Sequence, residues 1–348
     1  MNDRARRPRS PTIIDVAAHA GVSPMTVSRV INGRPGVDPA TRAGVQAAIV
    51  ALGYTPNLAA RSLVTSAELR IGVIYSNPSA AFMSDFLTGV FEEASVRGAR
   101  LILLKGENGH PPDRSALEDL VNSGISGLIC APPLGEWPAV LEVLQQARVP
   151  VAAVGAHGVA GAICVRIDDR LAAYEMTRQL IAIGHRRLGF VTGNPDQVAS
   201  RQRRDGFDAA VGERDDVTVT IAQGDFSFAS GLTAADELLQ VDPRPTAIFA
   251  SNDDMAAAVV SVAHRRHLDV PGELTVVGFD DTTAAVTLWP PLTTVHQPVR
   301  RLAAEALGLL VAEIGTPSNT EAGQSDHVLD HAIVERQSTA PPQDADQV

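Results

Sequence analysis

The hydrophobic pattern of the chain changes period near residue 65. Before that point Ile13, Val16, Ala17 and Ala20 recur at spacings of three and four, as do Val27, Val30 and Ile31, and then Val45, Ala48, Ile49 and Leu52. Each set lines one face of a helix, so three short helices are predicted to bury their stripes against one another. Thr12 is placed to cap the first helix, with Asp15 in the reciprocal position three residues on, and Gly21 supplies a left-handed stop. Ser23 and Asp38 each stand just before a proline, Pro24 and Pro39, which gives a side-chain cap followed by a residue with no N–H to leave unpaired.

Beyond residue 65, short apolar runs alternate with longer amphipathic stretches. Strands are predicted at 71–75, 101–104, 127–130, 151–154 and 163–167, with helices at 85–97, 113–123 and 137–147. The alternation then restarts, with strands at 188–191, 217–222, 247–250 and 274–279 and helices at 169–183, 201–211, 231–240 and 252–267. Continuous apolar strands between helices imply parallel sheets covered on both faces, and two such runs imply two lobes. The expected fold is a small all-α helix-turn-helix unit (11–56), a short linker (57–66) and a two-lobed α/β domain (67–338). Residues 1–10 and 339–348 are expected to be disordered.

Charge supports that division. Residues 1–70 hold nine arginines against four acidic residues, whereas the 348-residue chain as a whole carries a formal charge of −11. A basic end on an acidic body binds a polyanion locally while the body opposes indiscriminate binding. No long apolar run and no charged-then-apolar leader is present, so a cytoplasmic protein without a membrane partner is expected. Cys130 and Cys164 sit in apolar runs without metal-type spacing and read as buried free thiols. His264 with His267, and His327 with His331, lack a carboxylate or cysteine at ligand spacing, so no metal is expected. With no phosphate-binding glycine loop and no nucleophile motif either, no cofactor and no enzymatic activity is expected.

On the second helix the stripe leaves Pro24, Met25, Ser28 and Arg29 outward. A guanidinium can fork onto guanine and a methionine can touch thymine methyls, while Ser23 and Thr26 are better placed for phosphates. The pattern T-I-I-D-V-A-x-x-A-G-V-S-x-x-T-V-S-R-V-I-N followed by G-Y-T-P-N-x-x-A-R-S-L resembles the headpiece and hinge of the LacI-type (LacI/GalR) transcriptional regulator family from Thr12 to Leu63. The resemblance implies DNA contacts from Ser23, Pro24, Met25, Thr26, Ser28, Arg29 and Asn32, and from Asn57, Ala60, Arg61 and Leu63 in the hinge. There Leu63 would wedge between central base pairs and kink the duplex. A segment that short is marginal as an isolated helix and also reads as a plain linker.

The two-lobed body resembles the periplasmic-binding-protein-like sensor domain of the same family, whose ligands bind beyond the carboxyl ends of the strands. By that resemblance Asp280 in V-V-G-F-D-D, Arg203 in S-R-Q-R, Asn252 in S-N-D-D and Phe226 in Q-G-D-F match effector-holding positions, with Phe82, Gln297 and Trp289 as further walls. The residue types suit a sugar, since carboxylate and guanidinium take vicinal hydroxyls and an aromatic face takes the C–H side of a pyranose. Each has a plainer alternative: Asp280 as a helix cap, Arg203 paired with Asp205 or Asp208, Phe226 in the core. The expected function is a homodimeric, ligand-responsive regulator, a repressor released from a pseudo-palindromic operator in double-stranded DNA by a sugar or related small molecule. The alternative is a cytoplasmic or transport-associated sugar-binding protein without a DNA role. A tetramer is not expected, because the tail after Arg336 has no leucine heptads.

Overall fold

The computed structural model describes residues 12–31, 37–52, 69–107, 109–315 and 325–343. Contacts divide the chain between Glu68 and Leu69. The expected hinge at 57–66, with Asn57, Ala60, Arg61 and Leu63, lies outside the described residues, as does Asn32.

The amino-terminal unit holds α1 (Ile13–Ala20), α2 (Pro24–Ile31) and α3 (Pro39–Leu52). Thr12 and Asp15 form a reciprocal capping box, and Gly21 stops α1 at φ 66°. The Thr26 N–H donates to Ser23 Oγ at 3.1 Å and the Thr41 N–H to Asp38 Oδ1 at 3.0 Å. Val16, Ala17, Val27, Val30, Val45 and Ala48 make the core, with Ile13, Ala20, Val22, Ile49 and Leu52 packed around it.

The second unit contains two six-stranded sheets. In chain order its elements begin with β1 (Arg70–Tyr75), α4 (Ala80–Arg97), β2 (Arg100–Lys105), α5 (Arg114–Asn122), β3 (Gly127–Cys130), α6 (Pro138–Ala147), β4 (Val151–Val154) and β5 (Ile163–Arg166). They continue with α7 (Asp169–Ala182), β6 (Arg187–Thr192), α8 (Val198–Val211), β7 (Thr218–Gln223), α9 (Phe228–Leu238), β8 (Ala247–Ala250), α10 (Asp253–Arg265) and β9 (Thr275–Asp280). The last are α11 (Thr283–Thr287), β10 (Thr293–His296), α12 (Val299–Ile314), β11 (Ser325–Val328) and β12 (Ala332–Val334). Strand order is β11-β5-β4-β3-β1-β2 in the first sheet and β12-β10-β9-β8-β6-β7 in the second. All pairings are parallel except that of β10 with β12. The apolar runs behave as predicted: β3, β4 and β8 are buried along their whole length, as strands covered on both faces must be.

The lobes are not consecutive halves of the chain. After β10 the chain returns to the first lobe, where α12 packs on α4 and on β3, β4 and β5 and β11 joins the sheet edge, before β12 closes the second lobe. The chain therefore crosses between lobes three times. The carboxyl-terminal stretch also departs from expectation: residues 339–343 are ordered rather than free. Thr275 Oγ1 donates to the Ala340 carbonyl and accepts from its N–H, both at 3.0 Å, and one ring nitrogen of His185 also meets that carbonyl at 3.0 Å. Cys130 and Cys164 are buried free thiols, and burial pushes both upward in pKa. Among the described residues no helix is long and apolar enough to cross a membrane.

Candidate functional site

On the headpiece, Pro24, Met25 and Arg29 are exposed, Met25 at 69 %. Ser28 is only half-buried rather than fully outward. The Ser23 and Thr26 hydroxyls lie 2.9 Å apart, so the two groups expected to reach phosphates are also bonded to each other at the helix start. The helix thus presents one guanidinium and one thioether beside small polar groups.

In the second unit, Phe82, Arg203, Phe226, Asn252, Asp280 and Gln297 line one cleft, of about 570 Å³ with its open mouth included. Phe82 enters from the first turn of α4, whose Ser79 cap accepts the Phe82 N–H. That cap starts the helix at Ala80, five residues before the predicted start. Arg203 belongs to α8, which begins at Val198 rather than 201. Asp280 ends β9, and Asn252 caps α10 through its Oδ1, which accepts the Met255 N–H at 3.0 Å. Trp289 does not take part: it is 74 % exposed and away from the cleft lining.

Arg203 organises the polar floor. Its Nε donates to Asp169 Oδ1 at 2.8 Å, and its Nη1 donates to the Ser251 carbonyl at 2.5 Å and lies 3.5 Å from Asp280 Oδ1. Asp205 and Asp208 are not its partners; Asp208 pairs with Arg204 instead. The guanidinium carbon lies over the Phe279 ring, 3.6 Å from its centroid. The Gln297 amide donates to Asp280 Oδ1 at 2.6 Å. One cation therefore serves two buried carboxylates unequally. Burial disfavours the charge on Asp169, yet the closer guanidinium and the His157 contact outweigh it and its pKa is lowered. Asp280 is pushed up to about 8, because burial exceeds what the more distant guanidinium returns and the Asp253 carboxylate adds to the rise.

The aromatic wall is held in place by backbone geometry. Phe226 adopts φ 72°, a left-handed conformation uncommon for a bulky residue, and its carbonyl accepts the Asn252 side-chain N–H at 2.9 Å. Its ring rests on Gly193, where a Cβ would come within 2.0 Å of the ring. Asn252 thus caps α10 and braces Phe226 with the same amide.

Sequence reasoning missed Asp169. Both Asp168 and Asp169 stand at the start of α7: Asp168 caps it, its Oδ1 accepting the Leu171 N–H at 2.9 Å, while Asp169, the first helical residue, turns to Arg203 and lines the cleft. Asn77, Ser79 and Gln197 also line the cleft without having been singled out. Only the three-dimensional crossing of α7 and α8 brings Asp169 to Arg203.

The profile of "Bacterial regulatory proteins, lacI family" matches residues 12–57, and that of a "Periplasmic binding protein-like domain" matches residues 177–339. Catabolite control protein A of Priestia megaterium is 34 % identical over 336 residues, covering 94 % of this chain and 99 % of that protein. The chain belongs to the LacI family. Among solved LacI-family structures, that of the CelR–cellobiose complex is 33 % identical with a TM-score of 0.70, over 94 % of this chain and 99 % of that one. A lac repressor dimer bound to operator and an anti-inducer is 27 % identical with a TM-score of 0.70, over 95 % and 100 %. This LacI-family chain is a DNA-binding transcriptional regulator with a helix-turn-helix headpiece and a two-lobed sensor domain.

Proposed function

We propose that the cleft holds a neutral polyol, a sugar in the first instance, and that its occupancy controls the grip of a homodimer on a pseudo-palindromic operator in the cytoplasm. The observation that carries this reading is the sharing of one guanidinium between Asp169 and Asp280 beneath aromatic faces. Hydroxyl groups satisfy such a set: a carboxylate accepts, a protonated carboxyl or guanidinium donates, and Phe226 and Phe82 take the C–H surface. An anionic ligand would instead face the Asp169 carboxylate, and ionisation of the Asp280 carboxyl beside it, with a guanidinium already engaged. Arg203, Asp280 and Gln297 are assigned to ligand hydroxyls, Phe82 and Phe226 to ring faces, and Asn252 to holding Phe226.

The named ligand of the CelR complex, cellobiose, is itself a neutral sugar. On the DNA side, Met25 and Arg29 are assigned to base edges, Ser23, Pro24, Thr26 and Ser28 to positioning, and Asn32, Asn57, Ala60, Arg61 and Leu63 to the adjoining backbone and minor groove. Action as a repressor follows if the bound sugar favours a lobe arrangement with weaker DNA affinity, since a ligand shifts an equilibrium only by its differential affinity. A thermal-shift screen of the full chain against neutral sugars, sugar phosphates and sugar acids tests the ligand class. A neutral sugar is expected to raise the melting temperature of the wild type and not of Asp280→Ala. Stabilisation by phosphorylated sugars alone would overturn the assignment.

A further inference from the structure

Glu136 does not line the main cleft; it ends a short 3-10 turn, Leu134–Glu136, just after β3 of the first lobe. Its carboxylate is divided between the lobes. Oε1 accepts the backbone N–H of His157, in the same lobe, at 3.2 Å, and Oε2 accepts the backbone N–H of Val198, the first residue of α8 in the second lobe, also at 3.2 Å. The cap position of α8 itself, Gln197, provides no side-chain bond. A helix start with orphan N–H groups and a positive dipole end is thus capped by a carboxylate from the opposite lobe. Beside it, His157 Nε2 lies 3.8 Å from Asp169 Oδ2 and is buried with no hydrogen-bond partner. The two first-lobe groups therefore reach the two second-lobe helices, α8 and α7, that carry Arg203 and Asp169. An annex of about 230 Å³ lies against Glu136 and shares Pro132, Val154, Gly155, Gln197 and Ala199 with the main cleft.

We infer that Glu136, aided by His157, is a clasp that holds the lobes together without ligand and so sets the resting closure of the cleft. The bond to Val198 exists only while the lobes are closed; opening removes the sole side-chain cap that α8 receives among the described residues. Ligands that need the closed form then bind to a state already populated, and ligands that wedge the lobes apart must first break the clasp. Glu136 is a positioning residue, since it acts through α8. Its consequence for ligand response rests on the cleft being an effector site, but its test needs no ligand.

The test uses the full chain with spin labels at Ser115→Cys and Ala229→Cys. Both positions are exposed, in the first turns of α5 and α9, at the strand ends that face the cleft; the two natural cysteines are buried. With the doubly labelled chain diluted into unlabelled chain, so that distances within one protomer dominate, pulsed EPR is expected to show one short distance population in the otherwise wild-type protein. E136A and E136Q are expected to add a longer population and to speed hydrogen exchange of the Val198 amide at least tenfold. E136Q keeps the size but turns an NH2 group toward an N–H, and it carries the test if E136A loses its fold. Unchanged distances in the folded variants would overturn the clasp and leave Glu136 a local cap, even if exchange at Val198 rose. A longer population in a protein that no neutral sugar stabilises would keep the clasp and remove the effector assignment.

Discussion

Arg203 and Asp169 are joined at 2.8 Å from neighbouring helices, and the pair depends on how closely those helices cross. At Gly206, one turn beyond Arg203, a Cβ would sit 2.1 Å from the Arg170 carbonyl oxygen of α7. A backbone oxygen cannot swing aside as a side chain can, so Gly206→Ala must push α8 away from α7. We expect a loss of ~1–3 kcal/mol, the range for overpacking, together with weaker sugar binding because Arg203 retreats from Asp169. Urea unfolding and a calorimetric titration with the sugar found by screening check both parts; an unchanged midpoint would show that the crossing is not tight.

Removal of Arg203 and removal of Asp280 should differ. Arg203→Ala leaves Asp169 buried with its main counter-charge gone, a defect of ~3–5 kcal/mol, whereas Asp280→Ala removes a group that holds its proton and should cost far less. Both should abolish ligand response, Arg203→Ala deleting charge-assisted bonds of ~1.5–3 kcal/mol each and Asp280→Ala a neutral bond of ~0.5–1.5 kcal/mol. Melting curves and titrations of the two variants side by side decide it, and equal melting temperatures would contradict the division of roles.

The raised carboxyls fix a pH dependence. Asp280, pushed up to about 8, and Asp253, pushed up to about 7, both chiefly by burial, hold protons in the folded chain that the unfolded chain releases. A folded pKa above the unfolded value contributes stability that is complete below the usual 3.8 and is lost as pH rises through the folded value. Stability of the ligand-free protein is therefore expected to fall between pH 5 and about 8, and Asp280→Asn, which cannot ionise, should flatten part of that slope. Chemical denaturation across this range measures it; a wild type and variant with the same slope would show that Asp280 is ionised throughout.

Arg29→Ala is expected to cost ~1–3 kcal/mol on a selected DNA duplex and to relax preference at one base pair. Fluorescence anisotropy with single-base variants of that duplex gives the answer. Uniform weakening across all variants would make Arg29 a phosphate contact.

Much of this was legible in the chain because the signals were local. The Thr12–Asp15 box, Gly21 and the Ser23–Pro24 start fix the headpiece helices, and whole-length apolar runs fix β3, β4 and β8. The six cleft residues could be named because short motifs such as V-V-G-F-D-D, S-R-Q-R, S-N-D-D and Q-G-D-F carry the resemblance to the family's sensor domain. Asp169 and Glu136 could not, because their partners lie 34 and 62 residues away across helix and lobe crossings that no local period records. Strand β10 and helix α12 were missed as well, so the return of the chain to the first lobe was not foreseen. The tail at 339–343 has a loop-like composition, yet the Ala340 N–H and carbonyl both bond Thr275 Oγ1 at the start of β9, each at 3.0 Å, tying it to the second sheet.

The central claim, that cleft occupancy governs DNA binding, is tested most directly by anisotropy of a labelled duplex, selected with the full chain, titrated with the stabilising sugar. The wild type is expected to bind the duplex well above scrambled DNA and to change affinity on adding the sugar, while Asp280→Ala binds the duplex equally well and does not respond. A wild type indifferent to the sugar, or a variant that responds as the wild type does, would contradict it.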